Sequence, residues 1–134
     1  MITKNLFNPL FCTAFILLSI VSCGKYEDGP SISFRSKKQR VVNTWQNEYD
    51  SDEIFDFKND GSCEVYYISD LPFKYNGTWD FSEDKSQITV TVSGNPGFGT
   101  ISVQYIFNII ELRNEKLCME EATFGNEYCF IPYE

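Results

Sequence analysis

Lys74-Tyr75-Asn76-Gly77-Thr78-Trp79-Asp80-Phe81 is the stretch from which the fold is read. In an extended chain Tyr75, Gly77, Trp79 and Phe81 fall on one side, and Lys74, Asn76, Thr78 and Asp80 on the other. A period of two belongs to a strand with one face in an apolar core and the other in water. The same period continues in both directions. Upstream lie Ser62–Ser69, with Cys63, Val65 and Tyr67 on one face, then Glu53–Lys58 with Phe55 and Phe57, then Thr44–Asp50. Downstream come Gln87–Val92 with Ile88, Val90 and Val92 inward, and Gly99–Glu111 with Ile101, Val103, Tyr105, Phe107 and Ile109 inward. Leu117–Glu121 and Glu127–Tyr133 complete the set, adding Leu117, Met119, Tyr128 and Phe130 to the same interior. Turn signals separate the runs, among them Asn59-Asp60-Gly61, Asp70-Leu71-Pro72, Ser82–Ser86, the Gly- and Pro-bearing Ser93–Phe98, and Arg113-Asn114-Glu115.

The prediction is therefore an all-β domain of eight strands joined in order by short turns. A meander of that kind has two edges to protect, and closing into an antiparallel up-and-down barrel removes both. A barrel of eight strands is just wide enough for side chains or for one small ligand. A two-sheet sandwich is the main rival. Before the first strand, Phe34, Lys38, Val41 and Val42 recur at helical spacing, with Ser31 or Ser33 as candidate caps. This gives a short N-terminal helix with a basic face of Arg35, Lys37, Lys38 and Arg40. That face either touches lipid head groups or, the preferred reading, is solvated and offsets the acidic barrel.

The chain opens with Lys4, a mostly apolar run from Leu6 to Ile20, and Val21-Ser22-Cys23-Gly24. A charged start, an apolar centre and a small residue before the cut describe a secretory signal peptide. A membrane span needs ~20 apolar residues, whereas this run is shorter and holds Asn8 and Pro9. The Val-Ser-Cys ending resembles the lipobox of bacterial lipoproteins. The resemblance implies diacylglycerol on the Cys23 sulfur, cleavage before Cys23 and acylation of the new amino end. Residues 1–22 are thus expected to be a signal peptide, residues 23–43 a lipid-anchored tether and short helix, and residues 44–134 the barrel. Gly24 in place of Asp favours the outer membrane. Lys25-Tyr26-Glu27-Asp28 resembles the short Lys-plus-acidic tags that send some lipoproteins to the cell surface, a plain acidic tether being the alternative.

Nineteen acidic residues against eleven basic ones give a net charge of −8. That charge argues against nucleic acid and against anionic lipid as partners. Histidine is absent, which removes the usual general base and the commonest transition-metal ligand. Cys63, Cys118 and Cys129 remain after the expected cut and the acylation of Cys23. If the last two strands pair with a turn near Thr123-Phe124, Cys118 and Cys129 stand directly opposite, with Cβ atoms ~4.5–5.5 Å apart, and a disulfide between them is expected. Cys63 is then a buried free thiol, with no His partner to make it a nucleophile.

The stretch Gly29-Pro30-Ser31-Ile32-Ser33-Phe34-Arg35-Ser36-Lys37-Lys38-Gln39-Arg40-Val41-Val42-Asn43-Thr44-Trp45 resembles the opening of small lipocalin-like lipoproteins of Bacteroidetes-type bacteria. Phe57-Lys58-Asn59-Asp60-Gly61, Gly77-Thr78-Trp79-Asp80-Phe81 and Ile109-Ile110-Glu111-Leu112 followed by Leu117 fit the same pattern. The resemblance implies a lipocalin-like β-barrel and no particular activity. Lipocalins proper carry Gly-x-Trp on the first strand, where this chain has Asn43-Thr44-Trp45. They also place a basic residue near the last strand to cover that Trp, and here only Arg113 is nearby.

Trp45, Trp79, Tyr67, Tyr75 and Tyr105 are the candidate ligand-lining residues, each of them equally at home as plain core. Asp50-Ser51-Asp52-Glu53 lacks the Gly and the twelfth-position Glu of a calcium loop and reads as a solvated turn. Asp80, Glu83 and Asp84 form carboxylate pairs with no pocket implied. No phosphate loop, Ser-His-Asp set or Cys-x-x-Cys occurs. The expectation is a non-catalytic, monomeric binding or interaction module at the outer membrane, with no metal and no cofactor. Its partners would be the membrane, through the anchor, and a small apolar ligand or an envelope protein. A filled accessory barrel docking another envelope protein is the second reading, and an enzyme the third.

Overall fold

In a computed structural model the described residues are 27–28, 35–69 and 72–134. The expected signal peptide (residues 1–22), the expected lipidation site Cys23 and the candidate caps Ser31 and Ser33 lie outside them. The elements are β1 (Glu27–Asp28), α1 (Lys37–Val41), β2 (Asn43–Asn47), β3 (Glu53–Phe57), β4 (Ser62–Tyr67), β5 (Phe73–Phe81), β6 (Gln87–Gly94), β7 (Ile101–Leu112), β8 (Leu117–Glu121) and β9 (Glu127–Pro132).

Strands β2 to β9 pair antiparallel in sequence order, and β9 returns to β2. The result is a closed, eight-stranded up-and-down barrel with one short helix before its first strand. Closure leaves no free edge among these eight strands. The helix is capped at Ser36 rather than further upstream: the Ser36 hydroxyl accepts from the Gln39 N–H, and the Gln39 side chain accepts from the Ser36 N–H. β7 runs past β6, whose register ends at Gln87 opposite Asn108, and β1 pairs parallel with β7 at Glu111 and Leu112.

The turns alternate between two ends. At one end lie α1 and the β3–β4, β5–β6 and β7–β8 turns. Val41, Trp45, Phe57, Trp79, Leu112 and Phe130 belong to one buried cluster with Phe55, Val65, Ile88, Val90, Phe107, Ile109, Leu117 and Met119. Helix α1 ties this end down: the Trp45 indole N–H donates to the Val41 carbonyl at 2.8 Å, and Arg40 donates to the Leu112 carbonyl at 3.4 Å. The Trp79 indole donates to the Lys58 carbonyl at 2.9 Å, fixing the β3–β4 turn. Arg113, the basic residue the sequence offered to cover Trp45, is ion-paired with Glu111 at 2.7 Å. The polar partner of the Trp45 indole N–H is the Val41 carbonyl at the end of the helix.

Cys118 and Cys129 stand opposite each other on β8 and β9 and are joined by a disulfide. Cys63 is a buried free thiol.

Candidate functional site

The other end of the barrel is built from the β2–β3, β4–β5, β6–β7 and β8–β9 turns. Here the strands' inward positions change character. On β2, Trp45 gives way to Asn47; on β3, Phe55 is preceded by Glu53; on β8, Met119 is followed by Glu121. β4, β5, β7 and β9 present Tyr67, Tyr75, Tyr105 and Tyr128 against the top of the core. Alternation accounts for this: each residue lies two positions from another inward-facing residue of its strand and shares its face.

A depression of about 370 Å³ opens here, lined by Asp50, Asp52, Tyr67, Ser69, Phe73, Tyr75 and Tyr105. Phe73 stacks on Tyr67 with ring centroids 5.5 Å apart and meets Tyr75 edge-on at 4.8 Å. Of the sequence-predicted lining residues, Tyr67, Tyr75 and Tyr105 border this depression. Trp45 and Trp79 do not; they are core residues, at 0% and 5% exposure, with their indole N–H groups bound to backbone.

The polar groups are arranged around Glu53. Its carboxylate accepts from the Asn47 amide at 2.6 Å and from the Tyr67 phenol at 3.1 Å. Burial first, and then the Glu53 carboxylate, push the Tyr67 phenol above its ordinary range. Burial likewise raises Tyr105, helped by Tyr128, Glu53, Tyr75 and Glu121. Tyr128 is raised by burial and then by Glu53 and Glu121. All three phenols are thereby held towards the protonated form, and Tyr67 donates its proton to Glu53. Glu121 is only 8% exposed.

The sequence reading missed Glu53, Glu121, Asn47 and Phe73. The signal was available: carrying the period of two one step beyond Trp45, Phe55, Met119 and Tyr75 places all four inside. Their polarity, or their nearness to a turn, kept them out of an apolar tally.

The rim completes the site. Tyr49, Ile68, Phe98 and Phe124 are large apolar residues exposed at 74%, 44%, 82% and 78%, and each sits on a different turn of this end. The turn residues 48–52, 68–72, 95–100 and 122–126 contain no Lys or Arg. At the other end, α1 and its neighbouring turns carry Lys37, Lys38, Arg40, Lys58, Lys85 and Arg113, whereas Lys116 pairs with Glu48 of a mouth turn at 3.5 Å. Among the described residues, the one grouping of three potential ligands is Cys118, Glu127 and Cys129, and its two sulfurs are joined to each other.

No family model matches the chain. The barrel is similar to the crystal structure of a lipocalin-like protein from Bacteroides thetaiotaomicron, with a TM-score of 0.54 and 14% identity, covering 70% of this chain and 97% of that one. At that identity the likeness is one of fold. By sequence, the chain is similar to Thioester-containing protein 1 allele R1 of Anopheles gambiae, 27% identical over 147 aligned residues. That match covers 92% of this chain but only 11% of the mosquito protein's length, and no functional residue is carried over from it.

Proposed function

We propose that this protein is a non-catalytic ligand-binding barrel whose site is the tyrosine-walled mouth opposite α1. The observation that carries the proposal is the contrast between the two ends. Depressions of about 390 and 410 Å³ flank α1 at one end, where the core beneath is filled by apolar side chains; the depression of about 370 Å³ at the other end differs in its wall of four aromatic rings, Tyr67, Phe73, Tyr75 and Tyr105, beside a few polar groups. Concave, mostly aromatic sites with sparse polar groups are where small molecules bind. The expected ligand, small and apolar, is refined by this geometry into one with an apolar body and a polar head, because the walls are tyrosines beside carboxylates.

A titration with the neutral fluorophore N-phenyl-1-naphthylamine tests the site. Saturable binding near one probe per chain is expected, weakened by Tyr105→Ala and unchanged by Lys38→Ala at the far end. Binding that is absent, or indifferent to Tyr105→Ala, rejects the mouth as the site.

The second reading, docking of an envelope protein, draws on the exposed Tyr49, Phe98 and Phe124 tips. Exposed aromatic residues of this kind are favoured at protein interfaces.

The protein is further proposed to be held at the outer membrane by acyl chains on Cys23, on the strength of the signal-peptide pattern that ends there. Several acyl chains anchor far more firmly than one. Labelled palmitate should enter the wild-type protein and not Cys23→Ala; label retained in the variant would rule out lipidation at that residue.

A further inference from the structure

The N-terminal part of the chain joins the barrel at the α1 end. β1 pairs parallel with the last residues of β7, Glu27 opposite Glu111 and Asp28 opposite Leu112. Leu112 is buried in the cluster beneath α1, and its carbonyl accepts from Arg40 of the helix at 3.4 Å. Cys23 stands only four positions before Glu27, and four residues of fully extended chain span at most ~14 Å. Cys23 is therefore never further than that from Glu27, whatever path the chain takes between them. The mouth lies at the opposite end of β7, a strand of twelve residues. At a rise of ~3.3 Å per residue and a barrel tilt of roughly 35–45°, β7 climbs ~25–30 Å along the axis, about twice the reach of the tether.

We infer, on the premise that Cys23 is acylated as proposed above, that the α1 end is the surface this protein lays against the bilayer, and that the tyrosine mouth opens away from it into water. Acyl chains buried among lipid tails hold the cysteine that carries them at the head-group layer. A barrel turned mouth-down would have to lift β1 off that layer by the height of β7, which the tether cannot span. The charges favour the same end. Residues 27–28, 35–41, 58–61, 82–86 and 113–115 carry seven basic residues and six acidic ones, close to neutrality. The four mouth turns carry four acidic residues and no Lys or Arg, and only Glu48 among them is met by a lysine, Lys116. An anionic head-group layer repels the mouth turns and tolerates the α1 end. This orientation also decides what the exposed aromatic tips are for. Tyr49, Phe98 and Phe124 have the character of groups that dip into lipid, yet they stand on the turns the tether keeps off the bilayer. They are left to a ligand or partner that arrives through water.

Energy transfer from the protein to the membrane tests this. The full chain is expressed in a bacterium that processes lipoproteins and reconstituted into vesicles of phosphatidylethanolamine and phosphatidylglycerol that contain a rhodamine-labelled lipid as acceptor. A donor dye is attached to one introduced thiol at a time: Asn59→Cys in the β3–β4 turn at the α1 end, Gln104→Cys on the outer face of β7, or Thr100→Cys in a mouth turn, all three exposed positions. Cys63 is buried and Cys118 is joined to Cys129, so the introduced thiol takes the dye. Transfer should be strongest from Asn59→Cys, intermediate from Gln104→Cys, and weakest from Thr100→Cys, where it should fall by about half or more over a separation of ~25 Å. Transfer from Thr100→Cys equal to or above that from Asn59→Cys overturns the inference, and strongest transfer from Gln104→Cys shows a barrel lying on its side. Flotation of the vesicles separates this failure from failure of the anchor. If the wild type floats with the vesicles and Cys23→Ala does not, the anchor stands and the transfer pattern alone decides the orientation. If the wild type does not float, the anchor is wrong and the orientation falls with it.

Discussion

Cys63 shows how strongly this barrel's environment governs a single side chain. It lies on the inward face of β4 at 2% exposure. Burial first, then the nearby Asp56 and Glu64, push its thiol from an ordinary 9.0 up to about 11. A thiol held protonated is a poor nucleophile, so slow reaction with Ellman's reagent is expected in the native protein and fast reaction after unfolding. The same shift has a consequence for stability. The folded state binds this proton more tightly than the unfolded chain does. Its contribution is therefore complete below pH 9 and is lost as the pH rises towards 11. The upper bound of the effect is about 2–3 kcal/mol. Unfolding free energies of wild type and Cys63→Ala should converge across that window. The comparison with Cys63→Ala is needed because the raised phenols of Tyr67, Tyr105 and Tyr128 titrate in the same direction. A constant gap between the two proteins would show that Cys63 is not the titrating group.

At the scale of elements, the β8–β9 hairpin is the part held by a covalent bond. Cys118 and Cys129 are direct partners, eleven residues apart in sequence. In the chain-entropy view, a loop of this length adds roughly 2–3 kcal/mol by restricting the unfolded state. The double variant Cys118→Ala, Cys129→Ala should lose about that much in urea unfolding, and an unmoved midpoint would refute the estimate. This pairing was legible in the sequence because both strands are regular and the turn between them is short. Most of the barrel was legible for the same reason: period two in Phe55–Phe57, Val65–Tyr67, Trp79–Phe81 and Ile88–Val92 needs only alternation to be read. What escaped was what breaks alternation. Between Ile109 and Glu111 the β7–β8 register shifts, so Ile110 is the extra residue of a bulge, and Leu112 turns inward where a strict count puts Glu111. Val41 escaped the predicted interior because it belongs to the helix rather than to a strand, and only the fold brings its carbonyl to the Trp45 indole. Gly77 escaped because its role is spatial: a Cβ there would collide with the Thr91 carbonyl on β6, so β5 and β6 approach at a spacing that only glycine permits. The mouth was half legible. Its tyrosines could be placed by alternation, whereas Glu121, read as the last residue of its strand, was left out of the interior because it is charged.

For the molecule as a whole, the division between a packed end and an open end implies that stability and binding are separable. Trp79 is 5% exposed, meets Phe57 edge-on at 5.4 Å and Phe81 at 5.6 Å, and ties the β3–β4 turn through its indole N–H. Removing it opens a cavity and takes away one of the two hydrogen bonds to the Lys58 carbonyl, so Trp79→Ala should cost about 3–5 kcal/mol. That is a large fraction of the 5–15 kcal/mol typical of a folded domain. Thr78, next to it on the outer face, is exposed, and Thr78→Ala should cost under about 1 kcal/mol. Tyr105 has the same inward register as Phe107 but stands at the mouth, only partly buried against the cluster. Its truncation removes fewer packed atoms, so Tyr105→Ala should cost less than Trp79→Ala, about 1–2 kcal/mol by the area it buries, while abolishing most probe binding. The three variants, measured by urea unfolding and by fluorophore titration, therefore form a pattern rather than a ranking. Trp79→Ala is weakened in stability, Tyr105→Ala in binding, and Thr78→Ala in neither. If Thr78→Ala proves the most damaging to stability, the inner and outer faces have been exchanged. If Tyr105→Ala and Trp79→Ala lose stability and binding in the same proportion, the barrel behaves as one cooperative unit without a specialised mouth, and the division of labour between its ends is wrong.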